Sequence, residues 1–229
     1  MIELWRVSKT YPPDRQALSD ISLEIASGEF IFVAGPSGSG KTTLLRLLLG
    51  AETPTAGRIS IDGQNIAHLS KRALARLRRK VGWVSQELKF LPDSSVLDNV
   101  ALPSAVSGAS YKESRSKAYH LLRELGLKER YDSLPSDLSA GERQRAAVAR
   151  ALVNNPALVL ADEPTANLDS DGSGEIIRLL FKARARGATV VVATQNQEMI
   201  QRHGSRVILL GCGSIEEDFR LPASAEVWT

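Results

Sequence analysis

At 229 residues, with 43% hydrophobic and 24% charged side chains, the chain is long enough to bury a full α/β core and has the composition of a soluble globular protein. No stretch approaches the roughly 20 apolar residues of a membrane span, and Met1-Ile2-Glu3-Leu4 runs into strand-like sequence without a basic-then-apolar leader, which predicts a cytosolic protein that meets membranes only through a partner. The net charge of +3 is mildly basic, the single cysteine Cys212 excludes an internal disulfide and a thiolate cluster, and His68, His120 and His203 show no zinc spacing.

In chain order, Ile2 to Val7 reads as an edge strand, and the turn from Ser8 to Pro13 offers Tyr11 on a loop. Its ring suits stacking on a purine base, although an aromatic packed on its own loop has the same signature. Leu18 to Ala26 alternates Ile21, Leu23 and Ile25 with polar or small residues, a half-buried strand closed by Ser27-Gly28. The apolar run Phe30 to Ala34 then leads into Gly35-Pro36-Ser37-Gly38-Ser39-Gly40-Lys41-Thr42, followed by Thr43 and a leucine-rich helix. Strand, glycine-rich loop and helix in this order match a phosphate-binding loop: backbone N–H groups and the helix N-terminus face phosphates, Lys41 reaches the β- and γ-phosphates, and the Thr42 hydroxyl holds Mg²⁺. Further on, Arg58 to Ile61 is a short strand, and Ser70 caps a basic helix from Lys71 to Lys80 that reads either as a phosphate or lipid patch or as a solvated face. Val81 to Ser85 is a strand that delivers Gln86 at its end, a position favoured for site residues in α/β sheets.

Between about Asp98 and Asn155 strand signals vanish and helical periodicity takes over, with Ala118, Leu121, Leu122 and Leu125 on one face of a helix from Tyr111 to Leu125. Ser139-Ala140-Gly141-Glu142 then carries the capping-box spacing, Ser139 as N-cap and Glu142 three residues on, and opens an alanine-rich helix. This helix end is a second phosphate-binding end. One nucleotide does not easily engage both ends on one subunit, whereas two subunits facing head to tail could. Ala157 to Ala161 is a continuous apolar strand that ends in Asp162-Glu163. Two carboxylates there need a cation or a proton, so Asp162 is placed to hold Mg²⁺ through water and Glu163 to orient or deprotonate an attacking water. A tight loop at Ala166-Asn167-Leu168-Asp169, a helix from about Asp171 to Arg186, a strand from Ala188 to Ala193 ending at Thr194-Gln195-Asn196, and a last strand from Arg206 to Leu210 complete the pattern. The tail from Gly211 carries no more than a short strand or loop.

Taken together, these motifs resemble the ABC ATPase family over about Ile2 to Ile215, each in family order. Gly35 to Thr42 is similar to the Walker A loop, Gln86 to the Q-loop, Leu138 to Gln144 to the signature, Val159 to Glu163 to the Walker B strand, Ala166 to Asp169 to the D-loop, and Tyr11 to the adenine-stacking aromatic. The resemblance implies a P-loop NTPase of ABC type with a parallel-sheet core, an antiparallel β subdomain and an inserted α-helical subdomain. It divides one nucleotide-binding domain into a core at about 1–97 and 156–215, a helical insertion at about 98–155 and a tail at 216–229. It implies ATP and Mg²⁺, the latter held by Thr42, Gln86 and Asp162. Glu163, Gln195 and Gln86 become the catalytic set, and an ATP-dependent homodimer contributes Ser139, Ala140, Gly141, Glu142 and Asp169 in trans.

Within the family, Tyr11 to Leu18, Leu77 to Gly82, Leu97 to Pro103 and Ser107 to Ser110 resemble the FtsE cell-division ATPases. These act with a polytopic membrane protein, FtsX, that controls septal peptidoglycan hydrolases, which implies a site on the cytoplasmic face of the bacterial inner membrane, with no span of its own and no nucleic-acid partner. Ala151 to Pro156 is as close to the lipoprotein-releasing and macrolide-exporter ATPases, the second reading. Leu88, Phe90, Leu91 and Leu97 read as an apolar patch in a loop beside the groove where a partner's coupling helix docks, or as a local core under that loop. Two positions depart from the family: Ala140 replaces a signature glycine, and Gln195 replaces a histidine that contacts the γ-phosphate, which implies slow turnover or a nucleotide-gated regulatory module. A DNA-repair relative would need a long coiled-coil insertion and a translation factor two cassettes, and neither is present.

Overall fold

The computed structural model describes residues 2–166 and 168–222; Asn167 of the tight loop and the far tail, 223–229, lie outside the described residues. In chain order the elements are β1 (Ile2–Tyr11), β2 (Arg15–Ile25), β3 (Phe30–Ala34), α1 (Lys41–Leu48), β4 (Ala56–Ile61), β5 (Gln64–Asn65), α2 (Lys71–Arg79), β6 (Val81–Val84), α3 (Val96–Val106), α4 (Tyr111–Glu124), α5 (Ala140–Leu152), β7 (Leu158–Asp162), α6 (Ser170–Ala185), β8 (Thr189–Thr194), α7 (Gln197–His203), β9 (Arg206–Gly211) and β10 (Ser214–Arg220). They form two sheets. One is antiparallel, in the order β2-β1-β4-β5; the other runs β10-β9-β3-β8-β7-β6. Within the second, β6, β7, β8, β3 and β9 are parallel, and only β10 is antiparallel, to β9.

Hydrophobic pattern decides this arrangement. Every residue of β3, β7 and β8 is buried, as strands covered on both faces must be. One face of the parallel sheet packs with α3 to α6 in a core that includes Phe32, Val100, Leu122, Val148 and Leu180. The other face closes on α1, whose Leu44, Leu45, Leu47 and Leu48 are wedged between Leu160, Val191 and Ile208 of the parallel sheet and Ile21, Ile25 and Ile59 of the antiparallel one. The helix after the phosphate loop is thereby clamped between the two sheets, with Arg46 left exposed.

Four details refine or add to the sequence reading. The first strand extends four residues beyond Val7 because Ser8 to Tyr11 keeps pairing with β2 and β4 across bulges, so Tyr11 ends a strand and does not ride on a loop. The helical stretch begins at Val96, where Ser95 accepts from the Asp98 N–H. The seven-residue α7, capped by Asn196, went unread because it spans barely two turns. The tail after Gly211 holds a full edge strand, β10, because Arg206 pairs with Asp218 across it.

Candidate functional site

The phosphate loop is shaped by what its backbone must avoid. Gly35 (φ 147°) sits against the Leu210 carbonyl and Gly40 (φ 104°) against the Ala17 carbonyl and the Leu18 side chain, so a Cβ at either would collide and also meet unfavourable dihedrals. Gly38 has open space in front of it. Gly40 caps α1 with no side-chain hydrogen bond, leaving the first N–H groups of a clamped helix free to face an anion. Lys41 is buried and donates to the carbonyls of Gly35 at 2.8 Å and Pro36 at 2.9 Å, which hold the ammonium inside the loop. The Ser39 hydroxyl is buried without a partner.

Strand ends bring the remaining groups to this loop. Ser37, Gly38, Gly40, Lys41, Thr42 and Thr43 share one pocket of about 370 Å³ with Tyr11, Gln86, Glu163 and Gln195, which arrive from β1 and from the ends of β6, β7 and β8. Thr42 Oγ1 donates to Asp162 Oδ1 at 3.2 Å. Asp162 is only 2% exposed. Burial raises its pKa, an effect offset in part by the Thr42 hydrogen bond and by Arg46 and Lys41. A hydroxyl beside a buried, undercompensated carboxylate is a donor set suited to a hard divalent cation whose other ligands are phosphate and water. Among the described residues there is no group of three or more His, Cys, Asp or Glu that could hold a metal ion.

Glu163 stands in the left-handed region at φ 48°, a strained conformation for a residue with a Cβ, and its N–H donates to the Ala193 carbonyl at 2.9 Å. Burial pushes its carboxyl pKa upward, opposed by Lys41, by the Gln195 backbone N–H and by the Thr194 hydroxyl. A carboxylate raised in this way is a stronger base than a solvated one. Tyr11 lies in register opposite Arg15 on β2, with Lys9 Nζ 4.9 Å and the Arg15 guanidinium 5.0 Å from its ring centroid.

The capping box at Ser139 and Glu142 forms as the sequence predicts, but this helix end does not line the pocket. Ser139 Oγ accepts from the Glu142 N–H at 3.2 Å, and the Glu142 carboxylate accepts from the Ser139 N–H at 2.8 Å and from Arg130 Nε at 2.8 Å. Glu142 is thus engaged in holding the helix end. Ser139 and Ala140 are exposed and Gly141 is half-buried. Asp169 caps α6, accepting from the Gly172 N–H at 2.8 Å. Sequence reading missed Arg15 and Arg46, both pocket residues. Arg46 is four residues from Thr42 on α1 and so shares its face, a signal that helical spacing carries.

With this geometry in place, comparison with known proteins is specific. The ABC transporter family model matches residues 18–166. The cell division ATP-binding protein FtsE of Bacillus subtilis is 41% identical over 218 residues, covering 95% of this chain and 96% of that one. The chain belongs to the ABC transporter family. A solved ATP-binding cassette, described as a dimer in a post-hydrolysis state bound to ADP and Pi, superposes on this ABC ATPase subunit with a TM-score of 0.91 at 37% identity, covering 98% of this chain and all of that one. The methionine import ATP-binding protein MetN of Latilactobacillus sakei is 39% identical, covering 95% of this chain and 64% of its own length. The fold class read from the motifs, a parallel core with an antiparallel sheet and inserted helices, is the one found.

Proposed function

We propose that this ABC ATPase subunit hydrolyses ATP in a head-to-tail homodimer and thereby drives a polytopic membrane partner of FtsX type in cell division, from the cytoplasmic face of the inner membrane. The observation that carries this reading is the separation of the two phosphate-binding ends: the Gly38 to Thr42 end lines the pocket, whereas Ser139 to Gly141 lies outside it and needs a second subunit. The identity to FtsE across nearly the whole chain supports the division role, and no helix among the described residues is long and apolar enough to cross a membrane.

In this reading Tyr11 stacks on the adenine, while the loop N–H groups and Lys41 bind the phosphates. Thr42 and Asp162, with Gln86 at the pocket edge, hold Mg²⁺, which when bound neutralises phosphate charge. Glu163 accepts a proton from the attacking water, and the Gln195 side-chain amide donates toward the transferred phosphoryl group. Ser139, Ala140, Gly141 and Asp169 of one subunit close the site of the other, with Glu142 keeping that helix end in shape. Because glutamine cannot carry the positive charge of a histidine, turnover is slow.

Sedimentation of Glu163→Gln with saturating ATP and Mg²⁺ tests the proposal. We expect a stable dimer, because the sandwich closes while water is poorly activated. A protein that stays monomeric under these conditions, with its nucleotide bound, overturns it.

A further inference from the structure

The element that the nucleotide chemistry leaves idle is α2. Residues 63–86 hold six Lys or Arg side chains, Lys71, Arg72, Arg76, Arg78, Arg79 and Lys80, and no Asp or Glu. Because the whole chain is only net +3, everything outside this segment is net negative. All six side chains are exposed, and among the described residues none of them has a carboxylate within ion-pair distance. The positive charge of the protein is thus gathered on one helix and left uncompensated.

Helix formation alone does not ask for this. The macrodipole favours cations in the last turn, which accounts for Arg78, Arg79 and Lys80, but it opposes Lys71 and Arg72 in a first turn that holds no acidic residue. Arg72 and Arg76, and again Arg76 and Lys80, are like charges four residues apart, which repel along the helix surface. Glutamate has nearly the helix propensity of Lys and Arg and would relieve both costs, yet none is present. An anionic surface set against the helix relieves them equally well.

The inner face fixes where the cations point. Leu77 packs against the core shared with the antiparallel sheet, Leu74 lies against Gly50, and Arg78 donates to the carbonyls of Leu49 and Gly50 at the end of α1. With Ala73, Leu74 and Leu77 turned inward, helical spacing puts Lys71, Arg72, Arg76 and Arg79 on the opposite arc, where Ala75 is the only other residue. The result is a fixed, convex row of cations about 13 Å long. It carries no aromatic side chain on which a base could stack, and it suits many weak phosphate contacts lying in one plane.

We propose that the outward face of α2 binds the phosphate headgroups of anionic lipids, so that the subunit touches the membrane surface directly as well as through its protein partner. The choice of lipid among polyanions rests on the membrane setting of the reading above. It also departs from the expectation, drawn from sequence, that a partner is the only route to the membrane.

The test is flotation of the full chain with vesicles of phosphatidylcholine, alone or mixed with phosphatidylglycerol, in low and high salt. We expect binding only with the anionic lipid, and its loss in high salt. Arg72→Gln and Arg76→Gln, neither of which lines the nucleotide pocket, should each weaken it about fivefold and together about 25-fold. Arg123→Gln with Lys128→Gln, the same loss of charge at exposed sites on the helical insertion, should leave it unchanged within about twofold. Unchanged Tm and ATP affinity establish that the variants are folded. Equal binding to both kinds of vesicle, no flotation in low salt, or equal losses in the two pairs of variants overturns the proposal. Duplex DNA or polyglutamate that binds more tightly than the vesicles at matched salt, and is released by the Arg72 and Arg76 variants, assigns the face to another polyanion and also overturns it. Dimerisation of Glu163→Gln with ATP in the same preparation keeps the two ideas apart: a dimer that ignores anionic vesicles sinks the lipid contact alone, and loss of the dimer sinks the head-to-tail reading.

Discussion

Gln195 serves the pocket through two different groups. Its backbone N–H opposes the upward shift of the Glu163 carboxyl pKa, and the residue lines the same pocket as Lys41. The backbone contribution does not depend on residue type, so it survives any substitution other than proline. Gln195→His should therefore raise steady-state ATPase about 10- to 1000-fold, equivalent to about 1.4 to 4 kcal/mol of barrier, through a charged and more rigid donor at the transferred phosphoryl group. ATP affinity measured separately keeps binding out of the comparison. A rate in the histidine variant that is unchanged or lower, at equal affinity and fold stability, means that the site is built around glutamine.

Between residues and the whole stand the elements, and two polar anchors fix where they begin. Asn99, fully buried on α3, accepts from the Leu91 N–H at 2.7 Å and donates to the carbonyls of Leu91, Ser94 and Ser95 at 3.0 Å each. It ties down the connection that leads from Gln86 to α3. Asn99→Leu should cost about 2–4 kcal/mol, and amide hydrogen exchange should accelerate first around Leu91. The second anchor is Glu142, whose pKa is lowered foremost by the Ser139 N–H and then by Arg130. A depressed carboxylate stabilises the fold above its free value near pH ~4.3 and loses that contribution as pH falls through the lower folded value. Glu142→Gln should thus lower Tm by about 2–4 °C at neutral pH, with the gap closing below about pH 4. Thermal scans across pH check both limbs.

These anchors also mark the limits of sequence reading. The cap at Ser139 and Glu142 was legible because both partners lie three residues apart, within one turn. The apolar set at 88, 90, 91 and 97, which sequence leaves open as an exposed patch or a local core under the loop, divides between the two. Leu97 is buried, Phe90 packs on the larger core beneath Arg150, and only Leu91 is substantially exposed, at 48%, with its backbone clasped by Asn99. Leu102 and Val106 of α3, 39% and 58% exposed, line an open groove between α2 and α3 together with Leu49, Val81 and Trp83, residues of elements distant in sequence. The phosphate loop, Gln86 and the carboxylates at 162 and 163 were readable from their own neighbours; Arg15 joins them only through its register with Tyr11.

For the whole molecule, the two phosphate-binding ends predict complementation. Lys41→Ala removes the phosphate ligand on one surface, and Gly141→Asp places a negative charge on the other, where a Cβ has room, 3.5 Å from Leu168. Each variant alone has two damaged sites per dimer and should be inactive. An equimolar mixture forms some dimers with one intact site, built from the Lys41 face of one subunit and the Gly141 face of the other. ATPase activity that appears on mixing, at about a quarter of wild type or less, supports the head-to-tail arrangement. Activity retained by Gly141→Asp alone speaks for sites complete within one subunit, and a mixture as inactive as its components counts against the head-to-tail arrangement.

The turn between β9 and β10 gives the chain a reporter of its own. Cys212 is exposed and is the sole thiol in the sequence, and the adjoining Gly213 accepts from the Ser19 N–H at 2.8 Å and abuts Ala17, which lines the nucleotide pocket. A single maleimide probe therefore marks one defined point per subunit without any engineered cysteine. A fluorophore there should report nucleotide arrival through β2, and in the proposed dimer a spin label should yield one label-to-label distance, which would follow its opening and closure in the native sequence.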